Sequence, residues 1–173
     1  MAAGERVRFA VDRLEVRPAD RLLEIGCGGG TAAGLVCSRL APGRGQLTAV
    51  DRAATAVKRT LARNAAFVDD GRLVVRAAAF TSSALADLAD GAFDKIFSIN
   101  VNLFWTGAAV DELALLRRLL ARGGTMFACF GRGPTPGRSD EIAARTAARF
   151  SSAGFTTTVT SANGLQCVAA SPR

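Results

Sequence analysis

Residues 21–32 read RLLEIGCGGGTA, and the fold follows from how this stretch is read. Arg21 to Ile25 form a short apolar run, interrupted by Glu24, that stops at glycine; this is the form of a buried strand. Gly26, Gly28 and Gly30 supply a turn whose backbone a ligand can approach closely, because no β-carbon stands in the way. Thr31 then opens a stretch that is predicted helical to Leu40 and halts at APGRG, which is turn chemistry. The free amides at the start of such a helix face the same place as the glycine turn.

Outward from this unit the pattern repeats. Upstream, Val7, Ala10, Val11 and Leu14 recur at helical spacing, predicting an amphipathic helix that ends before Pro18. Downstream, QLTAVD (46–51) is a second strand and ATAVKRTLARNAAFV (54–68) a second helix. RLVVRAA (72–78) reads as a third strand, SALADLAD (83–90) as a short helix and FDKIFSIN (93–100) as a fourth strand. Leu113, Leu116, Leu119 and Leu120 mark one face of a helix ending at Gly123-Gly124, and TMFACF (125–130) is a fifth strand. Ile142, Thr146 and Phe150 repeat every four residues in a last helix. FTTTVTSANGLQCVAAS (155–171) reads as two strands around Asn163-Gly164, a hairpin signal. Strand and helix alternating in this way force parallel strands with helices on both faces, and the ligands of such sheets bind beyond the carboxyl ends of the strands. The expected architecture is an α/β, doubly wound single domain over 1–173, with an N-terminal helix in 1–17 and the core in 18–173.

Composition excludes several classes. Of the 173 residues, 49% are apolar and 21% charged, a globular balance and not a disordered one. Charges interrupt the first twenty residues every few positions, unlike a secretory signal. No run approaches the roughly 18 to 20 apolar residues of a membrane span, so a cytoplasmic protein is expected. Cys27, Cys37, Cys129 and Cys167 are scattered and there is no histidine, so no metal site is expected. The net charge of +7 raises nucleic acid as a partner. Its distribution argues otherwise: Arg6, Arg8, Arg13, Arg17 and Arg21 interleave with Glu5, Asp12, Glu15, Asp20 and Glu24, and the denser patches lack the interleaved aromatics used for base stacking.

The identity of the ligand turns on two carboxylates. A dinucleotide fold wants G-x-G-x-x-G against a pyrophosphate; here the third position is Thr31, and Glu24 precedes the first glycine by two places. A glutamate there repels pyrophosphate and suits an ammonium group. Asp51, 21 residues beyond Gly30, ends the second strand where an acidic side chain accepts ribose hydroxyls. A ribose, an ammonium end and no obligatory phosphate describe S-adenosylmethionine.

Over LLEIGCGGG, LTAVDRA, FDKIFSINVNLFW and the terminal hairpin, the sequence resembles the class I S-adenosylmethionine-dependent methyltransferases, as a small, core-only member. The resemblance implies a Rossmann-like seven-stranded sheet with an antiparallel last strand, and S-adenosylhomocysteine as product. It implies that Glu24 reaches the methionine amino group through water and that the Gly26, Cys27, Gly28, Gly30 loop passes under the methionine part. Asp51 would hold the ribose, Arg52 would lie against the adenine, and Asn100 would offer its carbonyl to the amino group. The aspartate that in many relatives binds the adenine amino group is missing from RAAAF, which leaves Ala78, Ala79, Phe80 and the hydroxyls of Thr81 or Ser82 for adenine. Asn102, Phe104 and Trp105 follow the fourth strand where a substrate would meet the methyl group.

In-line methyl transfer has a good leaving group, so positioning can supply much of the catalysis. A proton acceptor would have to be Asp94, Asp111, Glu112, Asp140 or Glu141, and none stands out as the catalytic residue. SINVNLFW contains no N-P-P-aromatic sequence, the feature that in relatives marks methylation of planar amino nitrogens. The expected acceptor is a small molecule, walled by the opening helix, the Phe104-Trp105 region and the Pro134-Pro136 loop, with a homodimer partner as a further way to close the site. The alternatives are an RNA methyltransferase and a cofactor-binding protein without turnover; a nicotinamide-dependent dehydrogenase is disfavoured by Glu24 and Thr31.

Overall fold

A computed structural model describes residues 2–131 and 138–173, so the Pro134-Pro136 loop lies outside the described residues. The chain opens with α1 (Ala2–Arg13), whose Ala10 and Val11, with Leu14 just beyond, are fully buried. Then come β1 (Arg21–Ile25), α2 (Thr31–Leu40), β2 (Gln46–Asp51), α3 (Ala54–Arg63), α4 (Ala65–Asp69) and β3 (Leu73–Ala77). The second half holds β4 (Phe93–Ile99), α5 (Leu103–Thr106), α6 (Val110–Leu119), β5 (Leu120–Phe130), α7 (Arg138–Ser152), β6 (Phe155–Ala162) and β7 (Leu165–Pro172).

The seven strands form one sheet in the order β3-β2-β1-β4-β5-β7-β6. β1 to β5 pair in parallel, and β7 runs antiparallel to both neighbours, as expected of the last strand. The chain leaves β1 toward β2 on one side and returns to β4 on the other, so the sheet's switch point opens between β1 and β4. The central strands are buried on both faces because helices cover both. Leu23, Ile25, Ile96 and Met126 pack with Phe104, Phe150 and Phe155 on one face. Leu22, Leu47 and Phe97 pack with Val11, Leu14, Val36 and Leu40 on the other.

Three expectations about elements need correction. The helix expected over 54–68 breaks at Asn64, where φ is −120°, because the Asn64 side chain turns inward to bond the glycine loop. Residues 83–90 form turns and no helix: Arg118 takes the Leu85 and Leu88 carbonyls at 3.0 and 2.7 Å, acceptors that a continuing helix would need for itself. α6 ends at Leu119, not at Gly123-Gly124. Leu120 already pairs with Phe93, and the two glycines lie within a register shift of β5, Gly123 at φ 77°. The Asn163-Gly164 turn is present, with φ 52° and 74° at its two residues, the signature of a tight hairpin.

Candidate active site

β1 delivers the glycine loop to the switch point. Gly26, Gly28 and Gly30 all take left-handed φ, at 78°, 54° and 74°. At Gly26 a β-carbon would stand 2.7 Å from Val101 Cγ2, so glycine here is required by both conformation and space. The Gly26 and Cys27 amides donate to the Val50 carbonyl at 2.8 and 3.2 Å, tying the loop to β2. Asp51, the last residue of β2, accepts from Gly28 N–H at 3.0 Å through one oxygen and from Ala53 N–H at 2.9 Å through the other. Its carboxylate is thereby fixed in orientation while lone pairs on both oxygens stay available.

Gly30 serves packing as much as ligand approach. A β-carbon there would stand 2.6 Å from Asn64 Nδ2 and 2.8 Å from Thr60 Cα. Asn64 donates to the Gly30 and Thr60 carbonyls at 2.9 and 3.0 Å, and the Thr60 hydroxyl donates to the Gly28 carbonyl at 3.3 Å. Both side chains are buried. Sequence reasoning missed this clamp. Its signal was the polar pair at i, i+4 on the helix face that Val57 also buries.

Glu24 sits in the central strand, opposite Ala49 of β2 and Phe97 of β4, and is 2% exposed. Its Oε2 is buried without a hydrogen-bond partner. Burial, and secondarily the nearby Asp51 charge, push its carboxyl up to about 8. A buried acid with an orphaned oxygen is costly unless a cation or donor completes it.

Beyond the loop lies a cavity of about 370 Å³. Ile25 and Gly26 line it on the β1 side, Asp51 and Arg52 on the β2 side. Ala78, Ala79, Phe80 and Thr81 follow from the end of β3, and Asn100, Val101, Asn102 and Leu103 from the end of β4. Residues some fifty positions apart in sequence are thus gathered at one edge. Asn100 has φ 56°, a left-handed conformation that asparagine tolerates, and is held by its N–H on the Cys129 carbonyl at 2.9 Å and its Oδ1 on Gly131 N–H at 2.7 Å. Glu24, Cys27 and Gly30 are buried behind the wall, and Gly28 is exposed beside it; none of the four lines the cavity. Phe104 is corrected as a substrate residue: it is 1% exposed, with its ring 5.3 Å from that of Phe150 in the core. Trp105 is half-buried and meets Phe130 edge-on at 4.8 Å, outside the cavity lining.

Of the five carboxylates considered as proton acceptors, Glu112 in the first turn of α6 reaches the cavity. Asp94 is bound by Arg21 at the opposite end of the sheet, and Asp140 accepts from Gln166. A larger hollow of about 890 Å³ between α6 and α7 shares no residue with the glycine loop.

A sequence model described as a methyltransferase domain matches residues 22–124, from the first buried leucine of β1 into β5. The chain belongs to the class I S-adenosylmethionine-dependent methyltransferases. The methyltransferase matches no curated protein by sequence. In structure it is similar to a SAM-dependent methyltransferase from Aquifex aeolicus, at 15% identity and a TM-score of 0.76, covering 95% of this chain and 88% of that one. It is similar also to geranyl diphosphate C-methyltransferase from Streptomyces coelicolor A3(2), at 14% identity and a TM-score of 0.74, covering 98% and 77%. A third is Aeropyrum pernix fibrillarin with natively bound S-adenosyl-L-methionine, at 19% identity and a TM-score of 0.72, covering 95% and 74%. At such identities the likeness carries the fold. The residues present fit the donor on their own account: an orphaned buried carboxyl for an ammonium and an oriented aspartate with free lone pairs for a diol. No described helix is long and apolar enough to cross a membrane.

Proposed function

We propose that this methyltransferase acts on a small-molecule acceptor and that catalysis is mainly positioning. The observation that carries the reading is the cavity's chemistry. It is small and of mixed polarity, lined by Ile25, Val50, Phe80 and Leu103 together with Asp51, Arg52, Asn100 and Glu112, which suits a small molecule better than a polymer. Six of the 22 lysines and arginines, Arg21, Arg39, Arg72, Arg76, Arg118 and Lys95, are in ion pairs, which lowers the charge free to meet a phosphate backbone. A neighbour in complex with geranyl diphosphate supports a small acceptor, whereas the fibrillarin neighbour keeps RNA as the contrasting outcome.

In this reading Glu24 receives the donor's ammonium through water and Asp51 the ribose hydroxyls. Arg52, Ala78, Ala79, Phe80 and Thr81 enclose the adenine, and the Asn100 carbonyl meets the amino group. S-adenosylmethionine supplies, when bound, an electrophilic methyl on a sulfonium. The chain's own task is to hold the acceptor nucleophile in line and exclude water. Asn102 and Trp105 flank the approach, and Glu112 is the carboxylate within reach of the cavity for an acceptor that must shed a proton.

The test is a calorimetric titration of S-adenosylmethionine into wild type and Asp51→Ala, followed by transfer of labelled methyl into separated small-molecule and RNA pools. Asp51-dependent binding with label in the small-molecule pool is the expected result. Label in RNA, with binding that falls steeply as salt rises, overturns the acceptor class. Binding with no transfer to either pool favours a cofactor-binding protein without turnover.

A further inference from the structure

The N-terminal helix lays a cation over the end of β5, next to a residue that touches the cavity wall. Ala10 of α1 packs against Cys129 of β5 and Cys167 of β7. One helical turn earlier, Arg6 lies over Gly131, the residue that follows β5. A β-carbon on Gly131 would run into Arg6 Cδ and stand 2.9 Å from its Nη1, so glycine at this position lets the arginine lie flat on the strand end. The Gly131 N–H in turn donates to Asn100 Oδ1 at 2.7 Å, and Asn100 lines the cavity. The guanidinium is therefore two residue contacts away from the cavity wall, on the side of β4 and β5.

Arg6 Nε is buried and has no hydrogen-bond partner. Among the described residues Arg6 joins no ion pair, whereas Arg21, Arg39, Arg72, Arg76 and Arg118 each hold a carboxylate. A buried donor on a permanently charged group is expensive when left unmade. The planar fork of an arginine matches carboxylate or phosphate oxygens. We infer that Arg6 anchors an anionic group, carboxylate or phosphate, of the methyl acceptor at the C-terminal end of β5 beside Asn100. This rests on the small-molecule reading and narrows it: the acceptor carries a negative charge remote from the atom that is methylated.

The experiment uses the full chain saturated with S-adenosylhomocysteine and titrates sodium pyrophosphate and, separately, succinate at moderate salt. The variants are Arg6→Met, which keeps an apolar stem over Gly131, Arg6→Lys, which keeps the charge without the fork, and Arg8→Met as an exposed control on the same helix. Wild type is expected to bind at least one anion near millimolar concentration. Arg6→Met should weaken that binding at least about tenfold, Arg6→Lys should fall between, and Arg8→Met should match wild type. Which probe binds distinguishes phosphate from carboxylate. Anion binding that is absent in wild type, or equal in Arg6→Met, overturns the inference. Should S-adenosylhomocysteine itself not bind, the proposed function fails separately, and the anion titration into the free protein still reads the dependence on Arg6.

Discussion

Glu24 sets the electrostatics of the cleft. Its carboxyl is raised from 4.5 to about 8 by burial first and by the Asp51 charge second. Between these values the folded chain holds a proton that the unfolded chain has lost, so stability of the ligand-free protein falls as pH rises through that window and levels off above it. The slope is roughly 1.4 kcal/mol per pH unit at most. Glu24→Gln should remove the slope, melting at higher temperature than wild type above pH 8 while binding S-adenosylmethionine more weakly; thermal denaturation across pH checks the first half. The arriving ammonium should restore the charged form, so wild type is expected to release a proton on binding near neutral pH, read as a calorimetric heat that varies with the buffer's ionisation enthalpy. At Gly26 both φ and the Val101 contact oppose a side chain. Gly26→Ala should cost about 1–2 kcal/mol of stability and weaken donor binding further than that of an alanine placed at the open Gly29 position.

The glycine loop owes its shape to α3. Asn64 and Thr60 hold the Gly30 and Gly28 carbonyls from outside the loop, and Asn64 breaks its own helix in doing so. Asn64→Ala should leave the Gly30 carbonyl unpaired in a buried place, costing about 1–3 kcal/mol. Urea denaturation measures the loss, and amide exchange at Gly28 to Gly30 should speed up more than exchange in β1. Periodicity made α2 and β1 legible to the residue, because strand and helix each kept one pattern between clear breakers. It misread 83–90, where the helical spacing is present but Arg118, from a distant element, claims the carbonyls. It also carried α6 too far, because leucine spacing does not distinguish the end of a helix from the first residue of a buried strand.

The whole molecule is closed at its lower end by Lys95, which donates to Asp20 at 2.6 Å and to the Glu15 carbonyl at 2.9 Å, joining the segment after α1 to β4. Both side chains of the pair are mostly buried, at 16% and 12% exposure. Lys95→Met leaves Asp20 without its counter-ion and should destabilise by about 2–3 kcal/mol, lowering the melting temperature by several degrees without changing which donor binds. The sequence by itself determined the succession of the seven strands, the glycine turn and the position of Asp51 at the end of β2, because each depends on residues close together in the chain. Tertiary structure alone decided that Glu24 stands buried behind the wall, that Phe104 belongs to the core, that Glu112 joins the cavity and that Arg6 reaches Gly131. Those facts depend on segments tens of residues apart meeting at one edge of the sheet, and local spacing does not encode which of them meet.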